Sequence, residues 1–318
     1  MVVIAAHNPD GEVRKNSSAG GVFSILARNV IEQGGKVYGV GFNSRWSVVH
    51  KRISSVENLS ELRGSKYVFS DINTTAALID ADLKSGKKVL FTGTPCQVAA
   101  IRKRFGENDN LLLVEVVCHG APEAKYWERY INELCENRGM TRDDIASINF
   151  RDKSTGWKGY SFTVVFKNGS VFTQPASKNL YMRAFLRDYT LRKACFRCPF
   201  KYPDGSKADV TLGDFWGIEN LAPQIDNNLG TTIVIARTEN GKCCINMIDK
   251  EGCFTLEQVS QYNPAITHPA SQPLKYETFI READACENII GLFDKYAGIK
   301  RLESLKDFAR RILSRIKK

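Results

Sequence analysis

The chain has 318 residues, a formal net charge of +10, and 43% hydrophobic and 25% charged side chains. This is ordinary globular composition, long enough for one large domain or two. No run of ~18 apolar residues occurs, which excludes a transmembrane helix, and nine cysteines, an odd number, argue against a disulfide framework.

The start, Met1 to Ala6, is apolar but lacks the charged region of a signal peptide, so the expected compartment is the cytoplasm with reduced thiols. Residues 2–6 read as a short strand. Asn16 to Gly21 is a Ser/Gly loop that leads into a helix over 22–33, stopped by Gly34 and Gly35. Residues 36–42 form the next strand, 74–84 a helix, and 88–92 a short buried strand opening into Gly93-Thr-Pro-Cys96. A helix over 97–104 and an apolar strand over 111–117 follow, and the strand opens into Cys118-His-Gly-Ala-Pro122. Another helix spans 123–138. This βαβ rhythm predicts an α/β fold with a mainly parallel sheet and covering helices. Both Cys96 and Cys118 then fall beyond strand carboxyl ends, where open α/β sheets gather their ligands.

From Ile145 the texture changes to a mixed α+β second half. Strands are expected over 147–151, 162–166 and 170–174, with Asn168-Gly169 as a hairpin turn. A helix over 180–190 feeds Cys195-Phe-Arg-Cys198, and Asp209-Val-Thr-Leu-Gly-Asp214 reads as a buried strand with charged ends. Residues 231–237 are β-branched, and Glu239-Asn-Gly241 reads as a turn. Residues 251–298 are a helical extension, and 299–318 a basic tail with helical apolar spacing.

A Cys-x-x-Cys can hold half of a zinc site, form a redox dithiol, or supply two ligands to an iron–sulfur cluster. No second Cys-x-x-Cys exists to complete a zinc ribbon, and the motif follows a helix rather than opening one. A [4Fe–4S] cluster takes four thiolates, and Cys96, Cys118, Cys195 and Cys198 are the four that read as site-like. Cys135, Cys243, Cys244, Cys253 and Cys286 read as small buried hydrophobes. On the residues alone, all three chemistries stay open. The loops 16–21, 63–67 and 93–97 could each cradle a phosphate or simply cap a helix. Walker A, dinucleotide, Gly-x-Ser-x-Gly and His-Glu-x-x-His signatures are missing. Catalytic residues are not identified, a Cys118/His119 dyad is disfavoured because neighbours rarely face each other, and His50 looks incidental.

Several motifs occur in one order: Asn16-Ser-Ser-Ala-Gly-Gly21, Gly64-Ser-Lys-Tyr67, Phe91-Thr-Gly-Thr-Pro-Cys-Gln97, Val117-Cys-His-Gly120, Asn149-Phe-Arg-Asp-Lys153, Cys195-Phe-Arg-Cys198 and Asp209 to Gly217. In these the chain resembles the beta-subunit family of coenzyme F420-reducing hydrogenases and dehydrogenases. The resemblance implies an oxidoreductase subunit moving electrons between a [4Fe–4S] cluster and FAD, with hydride exchange to coenzyme F420 or another acceptor. It implies Cys96, Cys118, Cys195 and Cys198 as cluster ligands. Ser17, Ser18, Gly20, Gly21, Ser65, Lys66, Tyr67, Thr92, Gly93 and Thr94 become the flavin contacts it implies. It also divides the chain into family units over 1–80 and 84–250.

Many relatives carry a ferredoxin-like segment before the Ser/Gly loop, and no cysteine precedes Cys96 here. A separate ferredoxin or cluster-bearing subunit is therefore the expected partner. The alternative is a non-catalytic metal-binding accessory protein, for example in surface polysaccharide synthesis. The tail adds an acidic protein or an anionic membrane surface as an expected contact, which leaves a peripheral membrane location open. Nucleic acid is not expected, because aromatics do not interleave with the basic runs. The roles of Asp209 and Asp214 stay open.

Overall fold

The computed structural model describes residues 1–202 and 205–299. Among them the strands are β1 (Val2–Ala6), β2 (Lys36–Phe42), β3 (Val48–Ile53), β4 (Val89–Gly93), β5 (Leu111–Val116), β6 (Ile145–Asp152), β7 (Ser161–Phe166), β8 (Val171–Pro175), β9 (Val210–Asp214), β10 (Thr232–Ala236) and β11 (Gly252–Phe254). One large sheet runs in the order β11-β1-β10-β9-β5-β4-β2-β3, and β6-β7-β8 form a second sheet. The centre of the large sheet is parallel, through the pairs β2–β4, β4–β5 and β5–β9. Its flanks are antiparallel: β3 lies on β2, and β10, β1 and β11 continue beyond β9. The α/β class expected from the alternating pattern is the class observed. The large sheet draws strands from 1–80, 84–250 and 251–298 alike.

The central strands are apolar on both faces because both faces are covered. The helix Val22–Glu32 buries Val22, Leu26 and Val30 against Val37, Leu90 and Leu112. Helices Asn73–Lys84 and Pro95–Phe105 cover the opposite face through Ile79, Val98 and Ile101, which meet Phe91, Leu111 and Leu113. In β1 the period of two is explicit: Ile4 and Ala6 face the first core, Val3 and Ala5 another with Ile233 and Ile235.

A fourth body of core is aromatic. Helices Ala124–Glu136, Leu180–Leu186, Tyr276–Ala285 and Ile289–Ala297 pack with the small sheet around Trp127. The Trp127 ring lies 4.9 Å from Phe150 and 5.5 Å from Tyr181, centroid to centroid. Each such ring fully buried contributes ~1.5–3 kcal/mol, so this block is a stiff mount for β6 and its Arg151.

Three local expectations need correction. The helix expected over 180–190 ends at Leu186, because Asp188 adopts a left-handed backbone with φ 66° and cannot continue the ladder. Glu239-Asn-Gly241 is not a turn but opens the helix Glu239–Cys244, capped where Thr238 Oγ1 accepts from the Gly241 N–H at 3.1 Å. The strand β3 was not expected at all; it is held as an edge by its pairing with β2. The basic tail lies outside the described residues from 300 onward. Among the described residues no helix is long and apolar enough to cross a membrane.

Candidate functional site

The carboxyl ends of the parallel strands build the site. After β4, Thr94 caps the helix Pro95–Phe105 in a reciprocal box with Gln97, and Pro95 presets the first turn. Cys96 is thereby held at the helix start, its sulfur 3.2 Å from Thr94 Oγ1. Gln97 also donates to the Ser70 carbonyl at 2.6 Å, tying this turn to the neighbouring loop. After β5, the chain turns through Cys118 and Gly120. A Cβ on Gly120 would stand 2.5 Å from Leu191 Cδ1, so that position requires glycine for a close approach.

That close approach brings the Cys-x-x-Cys to Cys118. Arg192 N–H donates to the Ala121 carbonyl at 3.0 Å, and Ala121 N–H donates to the Cys195 sulfur at 3.4 Å. Lys201, buried, donates to the His119 carbonyl at 2.9 Å. Burial pushes the Cys118 thiol up to about 12, Lys201 opposes that rise, and Cys195, Cys96 and Cys198 add to it as like charges. Burial likewise raises Cys195 and Cys198, and both feel Cys96. Cys96, Cys118 and the Cys195/Cys198 pair, from three separate segments, thus lie within electrostatic reach of one another. Among the described residues no three His, Cys, Asp or Glu side chains converge on a single-ion position. The remaining cysteines lie elsewhere: Cys135 in the aromatic core, Cys286 against Arg129, and Cys243, Cys244 and Cys253 around the antiparallel flank. The expectation that all five are buried needs correction, since Cys243 and Cys253 are exposed.

Beside this group is a cavity of about 490 Å³, within the range of small-molecule and cofactor sites. Ser17, Ser18, Gly21, Ser65, Lys66, Tyr67, Thr92, Gly93 and Thr94 all line it. Gly20 does not. It packs behind the wall, its N–H donating to Thr232 Oγ1 at 2.9 Å, where a Cβ would lie 2.7 Å from the Ala6 carbonyl oxygen. Of the four grouped cysteines, Cys118 alone reaches the cavity lining.

One end of the cavity is polar and positive. Gly21 caps the helix Val22–Glu32 in a left-handed conformation with no side-chain cap, and Gly21, Val22 and Phe23 line this end, so the positive end of the helix dipole borders the cavity. Ser18 Oγ accepts from Ser65 N–H at 2.6 Å and lies 2.8 Å from Ser65 Oγ, joining the two loops. Arg63 Nε donates to Ser24 Oγ at 3.1 Å. Among the described residues, Lys66 Nζ donates only to carbonyls, those of Arg63 at 2.8 Å and Glu61 at 3.1 Å. Burial and then Lys51 bring the Lys66 ammonium down to about 7, against the pull of Glu61.

The other end is aromatic and was largely missed by sequence reasoning. Tyr67 stacks on Phe185 at 4.8 Å, and Trp216 stacks on Trp157 at 4.6 Å with rings nearly parallel. Arg151, 2% exposed, forms an ion pair with Asp214, with its guanidinium 4.4 Å from the Tyr160 ring centroid and 5.4 Å from that of Trp216. The motifs containing Arg151 and Asp214 were visible, but nothing in them says that residues so far apart in sequence pair across a cavity. Asp209, by contrast, is a brace: it accepts from Leu113 N–H, Arg102 and Thr238 at 2.7–2.9 Å. His50 is not incidental either. It lies between Ser70 Oγ (3.0 Å) and the Thr92 carbonyl (3.2 Å), and burial lowers its pKa to about 4, so it stays neutral behind the wall.

Comparison with known proteins adds three findings. The family model for the C terminus of the coenzyme F420 hydrogenase/dehydrogenase beta subunit matches residues 86–262. The chain is similar in structure to a chain of the F420-reducing [NiFe] hydrogenase complex from Methanosarcina barkeri, with a TM-score of 0.55 and 18% identity. That likeness, which covers 89% of this chain and 91% of the other, speaks for the fold. No curated protein sequence matches the chain.

Proposed function

This chain belongs to the coenzyme F420 hydrogenase/dehydrogenase beta-subunit family, and from that premise we propose that it is an oxidoreductase subunit that binds FAD and a [4Fe–4S] cluster. The observation that carries the reading is the shared loop. The thiol group of Cys96, Cys118, Cys195 and Cys198 meets the cavity at Cys118, so a cluster and a flavin would be neighbours.

The residues fit both groups. Four thiols within electrostatic reach of one another match the ligand count of a [4Fe–4S] cluster. Lys201 and the Ala121 N–H favour the thiolate form that a metal requires. At the positive end, Ser18, Ser65, Lys66, Arg63 and the open N-terminus of Val22–Glu32 would hold a pyrophosphate. At the aromatic end, Tyr67, Phe185 and Trp216 would wall a planar ring and keep water from it. FAD, when bound, supplies hydride exchange in electron pairs and single-electron exchange with a cluster. The hydride partner in this reading is coenzyme F420 or a comparable acceptor. The electron partner is a separate ferredoxin or cluster-bearing subunit.

The test is anaerobic purification followed by absorbance, iron, sulfide and released-flavin assays. We expect a flavin spectrum with a broad bleachable shoulder and about four iron and four sulfide per chain. A colourless protein carrying zinc would overturn the reading in favour of a structural metal.

A further inference from the structure

Among the described residues, three polar atoms at the aromatic end of the cavity have no hydrogen-bond partner. They are Arg151 Nε, Arg151 Nη2 and Asp214 Oδ1, all buried, and both residues line the cavity. The remaining polar atoms of the pair are occupied: Arg151 Nη1 bonds Asp214 Oδ2 and lies 3.4 Å from the Tyr67 hydroxyl. A buried N–H or carboxylate oxygen left unpaired costs ~1–3 kcal/mol, more when charged, and native interiors rarely tolerate three together. The geometry resists relaxation. Arg151 is held between Tyr160 and Trp216, Trp216 is stacked on Trp157, and Asn263 Nδ2 fixes the Asp214 backbone by donating to its carbonyl at 3.1 Å. The pair is therefore preorganised with two donors and one acceptor unused.

The chemistry of those atoms selects a ligand. The ion pair is net neutral, and a phosphate or carboxylate approaching the two N–H groups would meet Asp214 Oδ1 as a like charge. A neutral group with adjacent acceptor and donor satisfies all three atoms. The ring-lined surroundings ask for a flat one.

We propose that Arg151 and Asp214 read a pyrimidinedione edge, the O=C–N–H face shared by the ring of FAD and by the 8-hydroxy-5-deazaflavin ring of coenzyme F420. Arg151 donates to the ring carbonyl and Asp214 accepts the ring N–H. This rests on the cofactor reading above and adds to it the residues that set which way the ring faces. Arg151 and Asp214 are here binding residues, and the motif Asn149-Phe-Arg-Asp-Lys153 acquires a role.

The test is calorimetric titration of the full chain, purified anaerobically and stripped of flavin, with three probes: FAD, 8-hydroxy-5-deazariboflavin, and ADP-ribose, which lacks the ring. Arg151→Lys and Asp214→Asn are expected to weaken a ring-bearing probe by at least ~10-fold and to leave ADP-ribose unchanged. Weakening confined to FAD, or confined to the deazaflavin, supports the proposal and identifies which ring is read. Equal weakening of FAD and ADP-ribose, or no weakening of either ring-bearing probe, overturns it while leaving the cofactor reading intact. If the variants do not fold, the wild-type protein decides: FAD methylated at N3 lacks the ring N–H, and binding as tight as that of FAD overturns the proposal. A wild-type protein that binds neither ring-bearing probe sinks the cofactor reading and this proposal with it.

Discussion

On the proposed cofactor reading, Lys66 should make FAD affinity depend on pH in a defined direction. A free lysine keeps its proton to about 10.4, whereas burial and then the neighbouring Lys51 bring Lys66 down to about 7, with Glu61 opposing them. Its ammonium bonds only backbone carbonyls, and the Phe42 ring stands 6.0 Å away, so no carboxylate bond offsets the desolvation. A pyrophosphate beside it would restore the charged form, so binding takes up a proton. Below about pH 7 the lysine is already charged in the free protein and affinity is flat. Above that, recharging it costs up to ~1.4 kcal/mol per pH unit, a factor of ten in dissociation constant. Lys66 is only half-buried, so solvent screening reduces the full effect, and we expect FAD binding to weaken by ~10-fold between pH 7 and pH 9. The assay is fluorescence titration of flavin-stripped protein with FAD from pH 6 to pH 9. Lys66→Arg, always charged, should bind well with a flat profile, and Lys66→Met should bind weakly with a flat profile. A flat wild-type profile, or a slope retained in Lys66→Arg, would refute the reasoning.

Cys118→Ser should abolish iron binding and the broad absorbance shoulder, while Cys135→Ser, in the aromatic core, should keep both; iron content per chain distinguishes them. Gly20→Ala places a Cβ 2.7 Å from the Ala6 carbonyl and 2.9 Å from Thr232 N, both backbone, and should cost ~1–3 kcal/mol in chemical denaturation. An unchanged midpoint would show that β1 and β10 can part at that point. Asp82→Asn removes a carboxylate that accepts two bonds from Arg52 (2.6 and 2.7 Å) and one from Tyr38 (2.5 Å), and should cost ~1.5–3 kcal/mol at pH 7. Because Arg52 holds the Asp82 carboxyl below its usual range, that stability is present above about pH 4 and is lost as pH falls through the lowered value. The stability difference between wild type and variant should therefore shrink in acid, and a difference constant from pH 7 to pH 3 would contradict it.

The elements legible in the sequence are those whose burial is written in local pattern. β1, β4 and β5 are apolar runs covered on both faces, and Val22–Glu32 shows its buried stripe at helical spacing. β3 was not legible. Val-Val-His-Lys-Arg-Ile carries polar residues on an edge, and only its pairing with β2 makes it a strand. The helix after Asn179 looked longer than it is because a left-handed Asp188 leaves no mark in apolar spacing. Lys66 and Tyr67 could be named from their motif, but their opposite surroundings, carbonyls for one and stacked rings for the other, could not.

The sequence by itself determined the α/β class and the loops at the carboxyl ends of the strands, and it proposed four cysteines as a group, because periodicity and strand-end position are local properties. Only the tertiary structure decided which of those loops meet. It brought Cys195 to Cys118 through the bonds that Ala121 makes to Arg192 N–H and to the Cys195 sulfur, about seventy positions away, and it let one cavity border both the Ser/Gly loop and Cys118. It also separated two aspartates that look alike at the ends of β9: Asp209 is consumed in bracing β5, and Asp214 faces a cavity with one oxygen unpaired. A carboxylate's role is set by which donors packing delivers to it, and those donors come from distant segments.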